Sequence, residues 1–205
     1  SSMKKIILSS MVLMFAFAGG ANAAGNAEAG KTKAAACAGC HAMDGNSLVP
    51  TFPKLAGQGE KYIAKQLADF KANTDRKNDL MLGMAAALSE EDMADIGAFY
   101  ASQKLAGPAP ADDSKLALGQ QIYKGGDLAK GIPACQACHG PKGAGIAPSG
   151  YPQVGGQYVD YTLAQLKAFR DGTRANDDKM LMRSIMKDMS DEQLEAVANY
   201  IATLH

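Results

Sequence analysis

Neither sign of charge is in excess in this chain, which has 21 basic and 21 acidic residues among its 205. A nucleic-acid-binding protein would require a basic excess, so that class of partner is excluded. Cysteine is scarce, at four residues, which is too few for a disulfide scaffold. Histidine is scarcer still, at three residues. After the start of the chain, no apolar run approaches the roughly 20 residues that a transmembrane helix requires.

The few cysteines and histidines are concentrated in one five-residue pattern that occurs twice. The two copies are Cys37-Ala38-Gly39-Cys40-His41 and Cys135-Gln136-Ala137-Cys138-His139. Cys-x-x-Cys-His is the attachment pattern of c-type haem. Two thiols at this spacing can add to the two vinyl groups of the porphyrin, and the adjacent histidine then faces the iron. The sequence therefore predicts two covalently bound haem c groups, one held by Cys37 and Cys40 with His41 on the iron, the other by Cys135 and Cys138 with His139.

Cys-x-x-Cys also occurs in zinc sites and in thioredoxin-like redox centres. A thioredoxin motif requires a βαβ context, and the sequence has no run of strands around either copy. A single zinc site would have to join two cysteine pairs whose histidines are 98 residues apart. Structural disulfides would leave both adjacent histidines unexplained. Haem is therefore favoured over all three alternatives.

The first 23 residues have the pattern of a secretory signal peptide. Lys4 and Lys5 precede an apolar run from Ile6 to about Gly20, and Ala21-Asn22-Ala23 supplies small residues for cleavage after Ala23. The apolar run is too short for a membrane anchor. We therefore expect a mature chain that is exported to the periplasm, where covalent haem attachment in bacteria is completed.

From Ala24 onward the sequence repeats one plan. The segment Phe52-Pro53-Lys54-Leu55-Ala56-Gly57-Gln58 matches Tyr151-Pro152-Gln153-Val154-Gly155-Gly156-Gln157, and Ser89 with its following acidic residues matches Ser190. A stretch rich in proline and polar residues, at about 105–113, has the character of a linker between the copies. These patterns predict an N-terminal domain over 24–105 and a C-terminal domain over 106–205.

Both halves have helical periodicity. A helix is expected from Ala27 to about Cys37, and the clearest helices begin at Ser89 and Ser190, each an N-cap followed by acidic residues and apolar residues at i, i+3, i+4 and i+7. Gly30 and Gly119 lie in the opening helices, where glycine costs about 1 kcal/mol. A close crossing against Phe99 or Tyr100, and against Tyr200, would account for them. The fold class is therefore predicted to be all-α.

The sixth iron ligand decides what such a haem can do, because a methionine thioether closes the iron and raises its potential. The only histidine outside the two motifs, His205, is expected to be a solvated end, so ligation by two histidines is disfavoured. Eleven methionines remain. Met81 and Met182 each lie eight residues before the repeated serine, which selects them as ligands. Met84 and Met180 are the alternatives. They rank second because neither has a methionine at its matching position in the repeat.

The start of the repeat at 24–30, the segments at 52–62 and 151–157 and the end from Asn199 to His205 resemble the cytochrome c4 family over the whole mature chain. The resemblance implies two class I cytochrome c folds related by a pseudo-twofold axis, with the haem propionate edges near the interface. It implies electron transfer toward a haem-copper terminal oxidase, with quinol–cytochrome c reductase or a small cytochrome as donor, and loose membrane association. Similarity to small c-type cytochromes also suggests the carbonyls of Pro53 and Pro152 as acceptors for His41 and His139.

The sequence therefore predicts a periplasmic electron carrier with two His/Met haems and no catalysis of its own. A dihaem peroxidase is the alternative from another class, and it would need an iron that can open a coordination site and acid–base residues beside it. A haem-bearing subunit of a dehydrogenase complex is a further alternative, with the same chemistry but a fixed partner.

Overall fold

A computed structural model describes residues 24–205, so the signal peptide predicted for residues 1–23 lies outside the described part. Helices dominate it. The α-helices are α1 (Ala27–Lys33), α2 (Ala38–His41), α3 (Glu60–Ala72), α4 (Asp79–Ala85), α5 (Glu90–Ala101), α6 (Leu116–Gly125), α7 (Gln136–His139), α8 (Val159–Asp171), α9 (Leu181–Met186) and α10 (Asp191–Thr203). Short 3₁₀ helices span Ala34–Cys37, Asp113–Lys115, Leu128–Lys130, Ala147–Ser149 and Asp178–Met180.

The prediction of an all-α fold is confirmed. Over residues 24–205 the only β-type pairing is two isolated bridges, Asp127 with Ile132 and Ile146 with Tyr151. None of the helices in this range has both the length and the apolar character needed to cross a membrane. The predicted opening helix is correct in extent but changes type, because α1 ends at Lys33 and the chain tightens into the 3₁₀ helix Ala34–Cys37.

The first and last helices of each domain cross closely at a glycine, as the sequence predicts. A Cβ atom on Gly30 would lie 1.9 Å from the carbonyl oxygen of Asp95 in α5, and one on Gly119 would lie 2.1 Å from that of Ala196 in α10. No side chain larger than hydrogen fits at such a distance, so the cost of glycine in a helix is offset by direct backbone contact.

Each domain has its own buried core beneath this crossing. The N-terminal cluster contains Ala34, Ile63, Leu67, Met93, Ile96, Phe99 and Tyr100. The C-terminal cluster contains Ile122, Tyr123, Ile132, Leu166, Phe169, Met186, Met189, Leu194, Val197 and Ile201. The core is therefore divided between two small domains, consistent with the repeat in the sequence.

Two glutamines join the domains by binding main-chain atoms of the opposite domain. Gln58 accepts from the backbone N–H of Gln153 (2.9 Å) and donates to its carbonyl (2.9 Å). Gln157 accepts from the backbone N–H of Lys54 (2.9 Å) and donates to its carbonyl (3.0 Å). We call these four hydrogen bonds the glutamine clasp. Their reciprocity is what a pseudo-twofold relation between the domains requires.

A second reciprocal contact lies between α3 and α8 and their following loops. Arg76 donates to the Tyr161 hydroxyl (2.9 Å) and Arg174 donates to the Tyr62 hydroxyl (3.1 Å). Both guanidinium groups also donate to Gln66, at 2.6 Å and 3.1 Å. Each stacks on a phenylalanine of its own domain, with the guanidinium carbon 4.3 Å and 4.5 Å from the ring centroids of Phe70 and Phe169.

Candidate haem sites

The N-terminal Cys-x-x-Cys-His motif lies where the 3₁₀ helix Ala34–Cys37 runs into α2. The His41 side chain is buried, and its Nδ1 lies 2.9 Å from the carbonyl oxygen of Pro53. A carbonyl can only accept, so Nδ1 carries the proton and donates it. The lone pair of Nε2 is then free to bind a metal, which is the orientation that a second hydrogen bond usually fixes in histidine ligands.

The C-terminal motif repeats this geometry in α7. His139 Nδ1 lies 3.0 Å from the carbonyl oxygen of Pro152. The hydrogen bonds suggested for the two proline carbonyls are thus confirmed. An aromatic ring meets each imidazole edge-on: Phe52 at 6.4 Å from His41 and Tyr151 at 6.5 Å from His139, measured between ring centroids. The ring orientation of both histidines is therefore set by the same two contacts.

Burial favours the neutral form of both motif histidines and of the first cysteine in each motif. It lowers the pKa of His41 and of His139, although the hydrogen bonds to Pro53 and Pro152 act in the opposite direction. It also raises the pKa of Cys37, and that of Cys135 to about 11. A neutral imidazole is the form that binds a metal. The donor set therefore suits an iron porphyrin attached through thioethers.

All four cysteines are free and partly exposed, which disagrees with the disulfide alternative. The zinc alternative also fails, because residues 24–205 contain no group of three or more His, Cys, Asp or Glu side chains arranged to hold a metal ion. Two thiols and one oriented imidazole per domain fit haem c and neither of these.

The predicted methionines lie beside the same cores as the motifs. Cys37 and Met81 are both half-buried against the N-terminal cluster. Cys135 and Met182 are both half-buried against the C-terminal cluster. Each domain therefore brings one motif cysteine and one predicted methionine to a shared apolar core, while the assignment of both methionines as ligands stays a prediction.

The alternative methionines are placed differently. Met84 is 37% exposed and Met180 is 54% exposed. Ile185, which stands at the repeat position of Met84, packs against the C-terminal cluster. Met81 and Met182 pack against the two cores, whereas Met84 and Met180 are not among the residues packed there, so packing agrees with the repeat in favouring Met81 and Met182.

The loops that lead to the two methionines differ in length, and the structure shows how. In the N-terminal domain Asn78 caps α4 directly, accepting from the backbone N–H of Met81 at 2.9 Å. In the C-terminal domain extra residues form the 3₁₀ helix Asp178–Met180, with Lys179 and Met180 both at positive φ. The extra residues are absorbed as one left-handed turn before α9, so both methionines still lie in the first turn of a helix.

Sequence reasoning missed the interface residues. Gln58 and Gln157 are matched members of the repeat, as are Gln66 and Gln165, but the repeat alone assigns them no role. They are buried polar side chains, except for Gln165, which is half-buried. A signal was present, since a polar residue repeated among apolar neighbours has to find a partner when it is buried.

A Cys-x-x-Cys-His attachment motif with an oriented imidazole, once in each of two small helical domains, sets c-type cytochromes apart from other haem proteins and places this chain among them. The profile of the Cytochrome c family matches twice, at residues 27–104 and 116–205. The chain belongs to the cytochrome c4 family, and it is a dihaem electron-transfer protein.

Three similar proteins support this placement. Cytochrome c4 of Pseudomonas aeruginosa is 46% identical over 97% of this chain and 98% of its own length. The crystal structure of reduced recombinant cytochrome c4 from Pseudomonas stutzeri superposes with a TM-score of 0.86 at 46% identity, covering 89% of this chain and all of that one. A protein of Stutzerimonas stutzeri named thiosulfate dehydrogenase electron acceptor is 40% identical over 83% of this chain and 80% of its own length.

Proposed function

We propose that this protein is a periplasmic carrier that passes electrons toward a terminal haem-copper oxidase through two irons, each ligated by one histidine and one methionine. The ligand sets are His41 with Met81 and His139 with Met182. The observation that carries the proposal is that each domain holds its motif and its predicted methionine against one apolar core. When bound, each haem supplies a one-electron couple between ferrous and ferric iron.

The chain's own residues would keep both sites closed and rigid. The carbonyls of Pro53 and Pro152 hold the imidazole rings, and a hydrogen bond of this kind raises ligand basicity. The thioethers of Met81 and Met182 would fill the position that a small molecule needs in order to reach the iron. With a histidine and a methionine of the chain holding each iron, little would have to rearrange when an electron arrives or leaves.

The carrier is proposed to have no catalysis of its own. A peroxidase needs an acid–base group near an accessible iron, and His205 is the only histidine outside the two motifs. His205 is exposed, and its Nδ1 donates to the carbonyl of Thr203 at 3.0 Å. That contact holds the imidazole at the surface beside its own helix α10.

The location and the partners follow from separate arguments. The signal-peptide pattern at residues 1–23 supports export to the periplasm. The similarity to a thiosulfate dehydrogenase electron acceptor favours a second candidate role, in which this chain takes electrons from a periplasmic dehydrogenase. In this second role the chemistry at the two haem sites would be the same. The dehydrogenase would replace quinol–cytochrome c reductase or a small cytochrome as the electron donor. Loose association with the membrane surface would suit delivery to an oxidase.

The ligand assignment is tested with four single variants. Met81→Ala and Met182→Ala should each abolish one sulfur-to-iron coordination and lower the potential of that haem alone. Met84→Ala and Met180→Ala are the matched controls and should leave both potentials unchanged. If a control variant loses coordination instead, the repeat register used for the assignment is wrong.

Carbon monoxide separates the carrier from the enzyme. The native reduced protein should bind none near neutral pH, and peroxide turnover should be negligible, whereas a small c-type cytochrome or an oxidase should oxidise it rapidly. Stoichiometric carbon monoxide binding, together with peroxide turnover that disappears when one haem site is mutated, would establish a peroxidase instead.

A further inference from the structure

Lys54 is a buried cation at the boundary between the two domains. The residue is 7% exposed. Its ammonium donates to the carbonyl oxygen of Ala106 at 3.2 Å and lies 5.0 Å from the centroid of the Tyr158 ring. Among residues 24–205, no carboxylate lies within ion-pair distance of it. The charge is thus enclosed by protein without an anionic side chain to balance it.

These contacts do not satisfy an ammonium group. Lysine carries three N–H donors, and one carbonyl accepts from Lys54. Burial of a charge is costly unless the charge is paired and hydrogen-bonded. In agreement with this cost, desolvation lowers the pKa of Lys54. The side chain therefore has the properties of a group whose anionic partner is not part of the polypeptide.

The other domain shows that the interface does not require this charge. Gln153 stands at the repeat position of Lys54, and the glutamine clasp binds the main chain of both residues with the same hydrogen bonds. The Gln153 side chain is neutral and donates to the Ala56 carbonyl at 3.1 Å, so one half of the clasp is completed without a charge, and the cation at the other half has a separate role.

The chain connectivity indicates which haem the cation serves. Lys54 follows Pro53, whose carbonyl orients His41. A lysine side chain extends about 6 Å from its Cα atom, or roughly the length of two extended residues. The ammonium is therefore tethered within reach of the N-terminal haem site, while it lies at the domain boundary against Ala106 and the Tyr158 ring. Haem c brings its own anions to that site, because each porphyrin carries two propionate carboxylates.

We propose that Lys54 is the electrostatic partner of a propionate of the haem attached at Cys37 and Cys40, and that its positive charge raises the reduction potential of that haem. Reduction adds one electron to the site, so a nearby cation favours the reduced state. Gln153 exerts no such effect in the C-terminal domain, so Lys54 makes the two sites electrically unequal. The proposal requires the N-terminal haem but not the proposed methionine ligation or any particular redox partner.

The test is a redox titration of the full holoprotein, with the two haems assigned from their NMR resonances. Lys54→Gln, which copies the C-terminal residue, should lower the equilibrium constant for reduction of the N-terminal haem by about tenfold, or about 59 mV for a one-electron couple. A tenfold change in an equilibrium constant is one logarithmic unit. Protein surroundings shift side-chain pKa values by a similar amount, about one unit. The C-terminal haem should change less.

Three matched variants complete the design. Lys54→Arg keeps the charge and should retain the native potentials. Lys61→Gln removes an exposed lysine from the same domain, and screening by solvent should make its effect several-fold smaller. Gln153→Lys adds the cation to the other half of the clasp and should raise the potential of the C-terminal haem.

The proposal is overturned if Lys54→Gln leaves both potentials at their native values, or if Lys61→Gln changes them equally. Should Lys54→Gln fail to mature, Gln153→Lys decides, and an unchanged C-terminal potential would then refute it. A shift in Lys54→Gln together with unaltered coordination in Met81→Ala would refute the ligand assignment and leave the role of Lys54 standing.

Discussion

Each domain has a buried tyrosine in its core, but the tyrosine lies in the last helix of the N-terminal domain and in the first helix of the C-terminal domain. In the N-terminal domain the small Ala34 follows the first helix and the large Tyr100 lies in the last, and both are fully buried. Counting from the repeated glycines and serines, the equivalent residues are Tyr123 in the first helix and Ile201 in the last. The repeat has therefore kept one buried tyrosine at the helix crossing but moved it to the other helix, and the residue paired with it is larger in the C-terminal domain.

Because the buried tyrosine lies in a different helix in each domain, its hydroxyl has different neighbours in the two cores. The Tyr123 hydroxyl donates to the carbonyl of Gly140 at 2.6 Å, just after the C-terminal haem motif. The Tyr100 hydroxyl is buried, and within residues 24–205 its only neighbouring polar atom is the Cys37 sulfur, which does not meet hydrogen-bond geometry. The two buried tyrosines thus differ in hydrogen bonding, because a hydroxyl reaches a different neighbour when its helix changes.

The largest effect should come from converting one core into the other. Tyr100→Ile alone should leave a cavity and cost about 2–3 kcal/mol in the N-terminal domain, and Ala34→Tyr alone should overpack it at a cost of about 1–3 kcal/mol. The double variant should cost less than the sum, because the space left by the Tyr100 ring relieves part of the overpacking caused by the new tyrosine. Hydrogen–deuterium exchange of peptides from each domain would measure this. Additive costs would mean that the two positions do not share one space.

A middle-sized effect should separate the two tyrosine hydroxyls. Tyr123→Phe removes the donor to Gly140 and should cost about 1 kcal/mol in the C-terminal domain. Tyr100→Phe removes a buried hydroxyl whose only polar neighbour is the Cys37 sulfur, a weak acceptor, and should be neutral or stabilising in the N-terminal domain. Denaturant unfolding of the two holoprotein variants, compared with native, checks the order. An equal loss in both would show that Tyr100 has a partner in the holoprotein.

The helix caps give the smallest effect, which depends on pH. Ser89 and Ser190 both form capping boxes, but the reciprocal side chain is Asp92 in one domain and Gln193 in the other. The hydrogen bond from Lys33, followed by those from Ser89, lowers the pKa of Asp92 to about 2. This folded-state pKa is below the ordinary value of about 3.9. The contribution of Asp92 to stability is therefore fully present above about pH 4 and is lost as the pH falls toward 2.

Asp92→Gln should make the N-terminal cap resemble the C-terminal one. The stability difference between native and variant should be small near neutral pH, since exposed ion pairs contribute little, and should vanish as the pH falls from about 4 to about 2. Chemical denaturation of both proteins at several pH values measures the difference, in which the carboxylates other than Asp95, which shares Lys33 with Asp92, cancel. A difference that stays constant over this range would show that Asp92 does not titrate with folding.

Much of the fold was predictable because its determinants are local. The capping residues Ser89 and Ser190, the helical periodicity after them and the doubled haem motif all act over a few residues, and all are confirmed in position. The close crossings at Gly30 and Gly119 were also predictable, since a glycine inside a helix is costly without a compensating contact. The methionine ligands stay predictions, supported by burial and register.

The interface was not predictable, because its determinants are pairs of residues far apart in the chain. Gln58 and Gln153 are separated by 95 residues, and Arg174 and Tyr62 by 112. Neither pair has a local pattern, and repetition alone does not say whether two matched residues face solvent or each other. The left-handed turn at Lys179 and Met180 was equally hidden, since the sequence showed only that the interval had changed.

The glutamine clasp has a consequence for how such a molecule can arise and be rebuilt. When a gene for one domain is duplicated and fused, the two copies must adhere before their surfaces have had time to adapt to each other. An amide that binds only main-chain atoms meets this need at once, because the peptide group is the same in every residue. Residues 54 and 153 could then diverge without weakening the interface between the domains. The same two glutamines could be grafted onto other tandem haem domains, because their hydrogen bonds do not depend on the side chains at the positions they bind.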